Sequence, residues 1–154
     1  MANYVALPSN VEAERVVLGS MLLSQEAAEL ALASLHKSDF SGADERNVLI
    51  FEAISRLYEH GMPIDPATVM NMLVNLKYDK ASGGNEYIFE LINAVINPDN
   101  VEFYINMVQE QSLLRELLLK TDDIQKNTLK ASRISANSLS RAMMKLRASL
   151  RKET

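Results

Sequence analysis

Apolar residues along this 154-residue chain recur at three- and four-residue spacings and never alternate with polar ones over six or more positions. That pattern predicts helices and no strands. Val11, Val17, Leu18, Met21 and Leu22 mark a first helix, which the S-N-V-E spelling from Ser9 to Glu12 would open as a capping box at about Asn10. Ser24 then caps QEAAELALASLH as a second helix. After Ser41 to Asp44, the residues Val48, Phe51, Ile54 and Leu57 carry a third helix over roughly 43–60, closed by Gly61. In GMPIDPATVMNML, Asp65 reads as an N-cap and Pro66 as the first helical residue, with Val69, Met70, Leu73 and Leu76 on the buried face. Gly83 and Gly84 supply a positive-φ turn before EYIFELINAVI, a fifth helix ended by Asn97-Pro98.

From Pro98 the pattern lengthens, with no glycine or proline after it through Ser132. One helix of roughly 30 residues is expected to about Ser132, about 45 Å long. After a polar break at KASRISAN, a second stripe would fold back along it. The expected architecture is all-α: a small globular helical bundle over 1–97, then an extended antiparallel helical hairpin over 98–154. Two such stripes cover each other only in part, so apolar surface should remain for a partner, most simply a second copy. The self-association candidates are Val101, Tyr104, Val108, Leu114, Leu117 and Leu118 on the first stripe and Leu139, Met143 and Leu146 on the second.

Gly19 stands inside the first helix, where glycine costs about 1 kcal/mol relative to alanine. Close approach of another helix would explain it. No G-x-x-x-x-G-K-[ST] occurs, so a phosphate cradle and ATP hydrolysis are not encoded in these residues.

Composition narrows the chemistry further. With 47% apolar residues the chain can bury a real core, and with no cysteine it has no disulfide, thiol nucleophile or thiolate metal site. The start, MANYVALPSN, has no basic and apolar leader pattern, and no stretch is apolar enough to span a bilayer, so a cytoplasmic protein without membrane contact is expected. The net charge of -4 hides an asymmetry. Residues 1–125 hold 8 basic and 19 acidic residues, whereas 126–154 hold 8 basic and 1 acidic. The basic tail, from Lys126 to Lys152, could contact nucleic acid; cations flanking an apolar seam are the plainer reading.

Candidate reactive groups are sparse. His36 and His60 fall at separate helix ends, suited to the negative end of a helix dipole rather than to metal or base chemistry. Glu12, Glu14, Glu86, Glu90, Asp122 and Asp123 lie among polar neighbours, as on solvated helix faces. Met62, Met70, Met72, Met107, Met143 and Met144 fit core filling or an adaptable binding surface.

Several stretches in order resemble the N-terminal domain of bacterial DnaB-type replicative helicases. They are Pro8, Glu12-Ala13-Glu14, Val17-Leu18-Gly19 and Met21-Leu22; then Asp39-Phe40, Ile50-Phe51, and Pro63-Ile64-Asp65 with Thr68; then Gly83-Gly84, Tyr87 and Leu91, followed by Asn100-Val101, Tyr104, Val108 and Arg115-Glu116. The series runs from about residue 7 to 150. Two departures stand out: Ser41, where the family often has tyrosine after Asp-Phe, and Asn47, where it often has histidine.

The resemblance implies a non-catalytic scaffold. Such domains pair through helical hairpins, three pairs form a collar on a hexameric ring, and the collar recruits the C-terminal region of primase. It implies no cofactor in this region; ATP and Mg belong to a separate RecA-like motor domain. By position, Asp65 and Tyr87 match places implicated in helicase–primase communication, although Asp65 also reads as an N-cap and Tyr87 as a packed ring. The competing reading is a stand-alone regulator that mimics the collar and binds a helicase or its primase.

Overall fold

The computed structural model describes residues 6–152 and, among them, consists of six α-helices and two short 3-10 turns without strands. Residues 1–5, within the MANYVALPSN stretch, and 153–154, at the end of the expected hairpin, lie outside the described residues. The helices are α1 (Val11–Leu23), α2 (Gln25–Ser34), α3 (Glu45–Glu59), α4 (Pro66–Asn75), α5 (Gly84–Asn93) and α6 (Val101–Lys152).

Local chemistry sets most of the boundaries. The Ser24 hydroxyl accepts the Ala27 amide at 3.2 Å, which starts α2 directly after α1. Asp65 and Thr68 close a reciprocal box: Asp65 Oδ1 accepts the Thr68 amide at 2.8 Å, and the Asp65 amide donates to Thr68 Oγ1 at 3.0 Å. At the end of α3, Gly61 turns left-handed at φ 65°. The Met62 and Gly61 amides then reach back to the carbonyls of Leu57 and Tyr58 at 2.9 and 3.0 Å. The His60 ring Nδ1 lies 2.7 Å from the Arg56 carbonyl oxygen, the helix-end placement expected of it. One cap differs from expectation: Asn10, not Ser9, caps α1, its Oδ1 accepting the Ala13 amide at 3.0 Å. Asparagine one residue later reaches the same orphan donors, and Glu12 is left to pair with Arg15.

The described residues up to Arg115 form one compact unit. Within it α1 packs on α2 and α5, and α3 packs on α4. Leu18, Met21, Ile50, Ile54, Leu73, Ile88 and Leu91 fill the core. Gly19 is where α1 meets α5. A Cβ built there would sit 2.1 Å from the Leu91 carbonyl oxygen and 2.6 Å from Val95 Cγ2.

The first turns of α6 belong to this unit. Val101, Ile105 and Val108 are core residues, and Tyr104 packs partly buried against them. The body therefore extends past the expected limit at residue 97, because these side chains complete its core. Arg115 fastens this part of the helix, donating to the carbonyls of Pro8 at 2.9 Å and Asp39 at 2.6 Å.

The second unit begins at Glu116, and its described residues are helical throughout. In place of the expected hairpin, α6 runs unbroken through KASRISAN. That stretch holds no glycine or proline to stop the hydrogen-bond ladder, so its polarity alone does not make a turn.

Candidate interaction surfaces and a buried polar cluster

Tyr87 organises the polar interior of the body. Gly83, at φ 85°, is the N-cap of α5 and leaves room for the ring; a Cβ there would lie 2.7 Å from Tyr87 Cβ and 3.2 Å from Arg46 Cδ. The ring is buried, and its hydroxyl hydrogen-bonds to Asn47 Oδ1 and, at 3.4 Å, to Asp44 Oδ2. Arg46 lies over the ring at 3.7 Å and grips Asp44 with two nitrogens at 2.9 and 2.8 Å. Arg15 adds a more distant cation at 5.9 Å from the ring centre and 3.6 Å from Asp44. This fork is a charge-assisted clamp with a cation–π cap. The Arg46 guanidinium holds the Asp44 carboxyl below its ordinary range. Burial, reinforced by Asp44, pushes the Tyr87 hydroxyl up to about 12, so it stays a neutral donor.

A second carboxylate completes the cluster. Glu14 is only 2% exposed, a correction to its expected place on a solvated face. Its Oε2 accepts the Ser41 hydroxyl at 2.7 Å and its Oε1 the Ser41 amide at 3.1 Å. Burial raises its carboxyl above the ordinary range, against the opposing pull of Ser41, Arg115 and the Asn47 side chain. Ser41 and Asn47, the two departures from the family pattern, thus stand as the hydrogen-bond partners of Glu14 and Tyr87 respectively. The signal for Glu14 was its spacing: Glu14, Leu18 and Met21 share a helix face.

A buried acid with a raised pKa loses protons later in the folded state than in the unfolded one. Its contribution is therefore most favourable at low pH and is lost as pH rises past its ordinary value of 4.5. Asp44 and Glu52, both lowered, act in the opposite sense, stabilising at neutral pH and losing that stabilisation in acid. Thermal melts of the unsubstituted chain and Glu14→Gln should separate the two. The advantage of the glutamate over glutamine shrinks from pH 4 to pH 7; a constant difference would place Glu14 in water.

Among the described residues no group of three or more metal-ligating side chains converges. A cleft of about 650 Å³ between α2 and α3 has Leu32 and Phe51 in its walls, with Tyr58 and Glu59 among its lining residues. Beside it Glu52 is held by Lys37 at 2.7 Å and Arg56 at 3.1 Å, which leaves it no free role as a base. No helix among the described residues is long and apolar enough to cross a membrane.

The sequence-derived interaction residues divide sharply. Val101 and Val108 are buried in the body's own core, and Tyr104 packs partly buried against it. Leu114, Leu117, Leu118, Leu139, Met143 and Leu146 are exposed, from 42% to 66%. Leu150 and Ile124 add to them at 60% and 65%. Tyr87, 1% exposed, has no surface with which to touch a partner; it can act only by holding α5 to α3. Asp65 is half-buried and engaged in its capping box. Met62, one of the methionines suited to an adaptable binding surface, is exposed and lines a smaller cleft with Tyr58, Pro63 and Ile64.

The family model described as the DnaB-like helicase N-terminal domain matches residues 6–110. Over 111 residues, 72% of this chain, it is 35% identical to the replicative DNA helicase DnaC of Bacillus subtilis and 37% identical to the replicative DNA helicase DnaB of Geobacillus stearothermophilus. It spans about a quarter of the length of these relatives, 24% in each case. The fold is similar to the crystal structure of the N-terminal domain of DnaB helicase from Mycobacterium tuberculosis, with a TM-score of 0.74 and 32% identity, covering 79% of this chain and 86% of that one. It is also similar to the N-terminal domain of DnaB helicase from Helicobacter pylori, described together with its interactions with primase. There the TM-score is 0.63 and the identity 26%, covering 76% of this chain and 89% of that one.

Proposed function

Because this chain belongs to the family of DnaB-like helicase N-terminal domains, we propose that it is the non-catalytic collar of a replicative DNA helicase. In this role it assembles copies of itself through α6 and recruits primase through the helical body. The exposed apolar face of α6 carries the reading. Leucines and methionines left more than half exposed along a helix are costly in water and are covered in an assembly. The body supports it differently: a rigid core held by the Tyr87 cluster offers a fixed surface, and a related domain from H. pylori is described with its interactions with primase. Nucleotide hydrolysis and its Mg belong, on this reading, to a motor outside the matched region.

The test is isothermal titration of the 154-residue chain with the C-terminal region of its cognate primase. Saturable binding is expected. Asp65→Asn should bind as tightly as the unsubstituted chain, since asparagine keeps the cap and Tyr87 is out of reach. Loss of binding in a folded Asp65→Asn variant would make Asp65 a direct ionic contact. Absence of binding by the unsubstituted chain would leave assembly as the collar's only role.

A further inference from the structure

We infer that the cations of α6 beyond Lys126 form a docking face for duplex DNA, held by its phosphates without reading of base sequence. At about 100° per residue, Lys130, Arg133, Arg141, Lys145 and Lys152 all fall within about 60° of one direction around the helix, and all are exposed. The apolar stripe of Leu139, Met143, Leu146 and Leu150 is centred about 170° away from that direction. Asn127 and Asn137 share the cationic face, with Ile134 and Met144 between the charges. The sequence expectation of cations flanking an apolar seam therefore holds for Arg147, at the stripe's edge, but not for the rest. Whatever covers the stripe leaves the cationic face open.

Elsewhere on its helices the chain pairs a cation with a carboxylate one turn away: Arg15 with Glu12, Arg56 with Glu52, Lys120 with Glu116 and Lys126 with Asp122. Past Lys126 that pattern stops. Asp123 is the last acidic residue among the described ones, and the sequence adds only Glu153. Lys130, Arg133, Arg141 and Lys145 thus have no carboxylate within a turn. Like charges three and four residues apart, as in Lys130–Arg133 and Arg141–Lys145, oppose the helix that carries them. The helix dipole favours cations in the last turn, such as Lys152, and reaches no further back. An external polyanion relieves the whole face.

Shape and composition select the polyanion. From Lys130 to Lys152 the face is about 33 Å long, close to one turn of B-form DNA at about 34 Å. The major groove of such a duplex is about 12 Å wide and seats a helix, whereas that of A-form RNA is too narrow. Residues 126–152 hold no aromatic side chain on which unstacked bases could rest, which disfavours a single strand. A bilayer would take up the Leu139–Leu150 stripe and turn the cations away from its headgroups. The asparagines add neutral donors suited to phosphate oxygens. The face lies beyond residue 110, where the family model stops matching, and it is separate from the assembly and primase roles proposed above. With a net charge of -4, the chain as a whole would repel DNA, so binding needs this local face.

Fluorescence anisotropy of a labelled duplex about two turns long, titrated with the full 154-residue chain at rising salt, tests the inference. Contact with about five phosphates predicts a log–log slope of about -4.5 or steeper, a loss of about 500-fold or more between 50 and 200 mM salt. Two unrelated duplex sequences should bind alike. Arg141→Gln and Lys145→Gln should keep the helical circular dichroism and each flatten the slope by about 0.9 or more. Arg147→Gln, which removes the same charge away from the face, should leave the slope nearly unchanged. Equal losses from Arg147→Gln and Arg141→Gln would show attraction by charge without a face and overturn the inference. So would tighter binding of the single strand than of the duplex, the absence of salt-dependent binding, or binding to phosphatidylserine vesicles with none to the duplex.

Discussion

Gly19→Ala is expected to destabilise the helical body by about 2–3 kcal/mol, although alanine is ordinarily the better helix residue by about 1 kcal/mol. The new methyl would sit 2.1 Å from the Leu91 carbonyl oxygen and 2.8 Å from its carbonyl carbon. Backbone atoms cannot rotate aside as a side chain can, so α1 and α5 must separate and loosen the core around Leu18 and Leu91. At several degrees per kcal/mol for a domain of this size, the melting temperature should fall by roughly 10 °C. Gly42→Ala is the control, since a Cβ there meets nothing within 4 Å. Equal melts for the two variants would mean that α1 and α5 do not touch at this residue. No phosphate chemistry is needed to explain the glycine.

Tyr87→Ala should cost about 3–5 kcal/mol, the usual penalty for deleting a buried aromatic side chain. The loss has two parts, which Tyr87→Phe divides. Phenylalanine keeps the ring and the Arg46 stack but leaves Asn47 Oδ1 without its donor in a buried place. About 1–3 kcal/mol should be lost through the hydroxyl alone. Chemical denaturation of the three proteins measures both steps. A phenylalanine variant as stable as the tyrosine would show that the hydrogen bond to Asn47 contributes nothing. Because Tyr87 is buried, a defect in primase binding by the alanine variant should follow its loss of stability. A stable, folded variant that fails to bind would require another explanation.

The parts of the fold that were legible in the sequence are those fixed by neighbours in the chain. Asp65 and Pro66, Ser24, Gly61 and the Gly83-Gly84 pair announce their turns and caps because the hydrogen bonds they make span only a few residues. Asn10 shows the limit of that reading, since two adjacent cap-forming residues compete for the same donors. Gly19 was legible as a packing residue, but its neighbour, the Leu91 carbonyl, was not.

The buried cluster was illegible for a different reason. Ser41 is 27 residues from Glu14, and Asn47 is 40 from Tyr87. Nothing in the local pattern brings them together, and a glutamate beside Glu12 and Arg15 looks solvated. The long terminal element failed in the opposite way. Its apolar positions keep helical spacing on both sides of a polar interruption, and that interruption makes no turn because no residue in it forces one. Whether such a stripe folds on itself or on a copy depends on what covers it, a property of the assembly rather than of the segment.

Sedimentation equilibrium of the intact 154-residue chain, beside Leu117→Lys and Leu146→Lys, tests the central claim that the exposed face of α6 holds copies together. The unsubstituted chain should sediment as a dimer or larger, and each lysine variant should keep its helical melt while shifting toward monomer. A monomer at high concentration, or an assembly indifferent to both lysines, would contradict it.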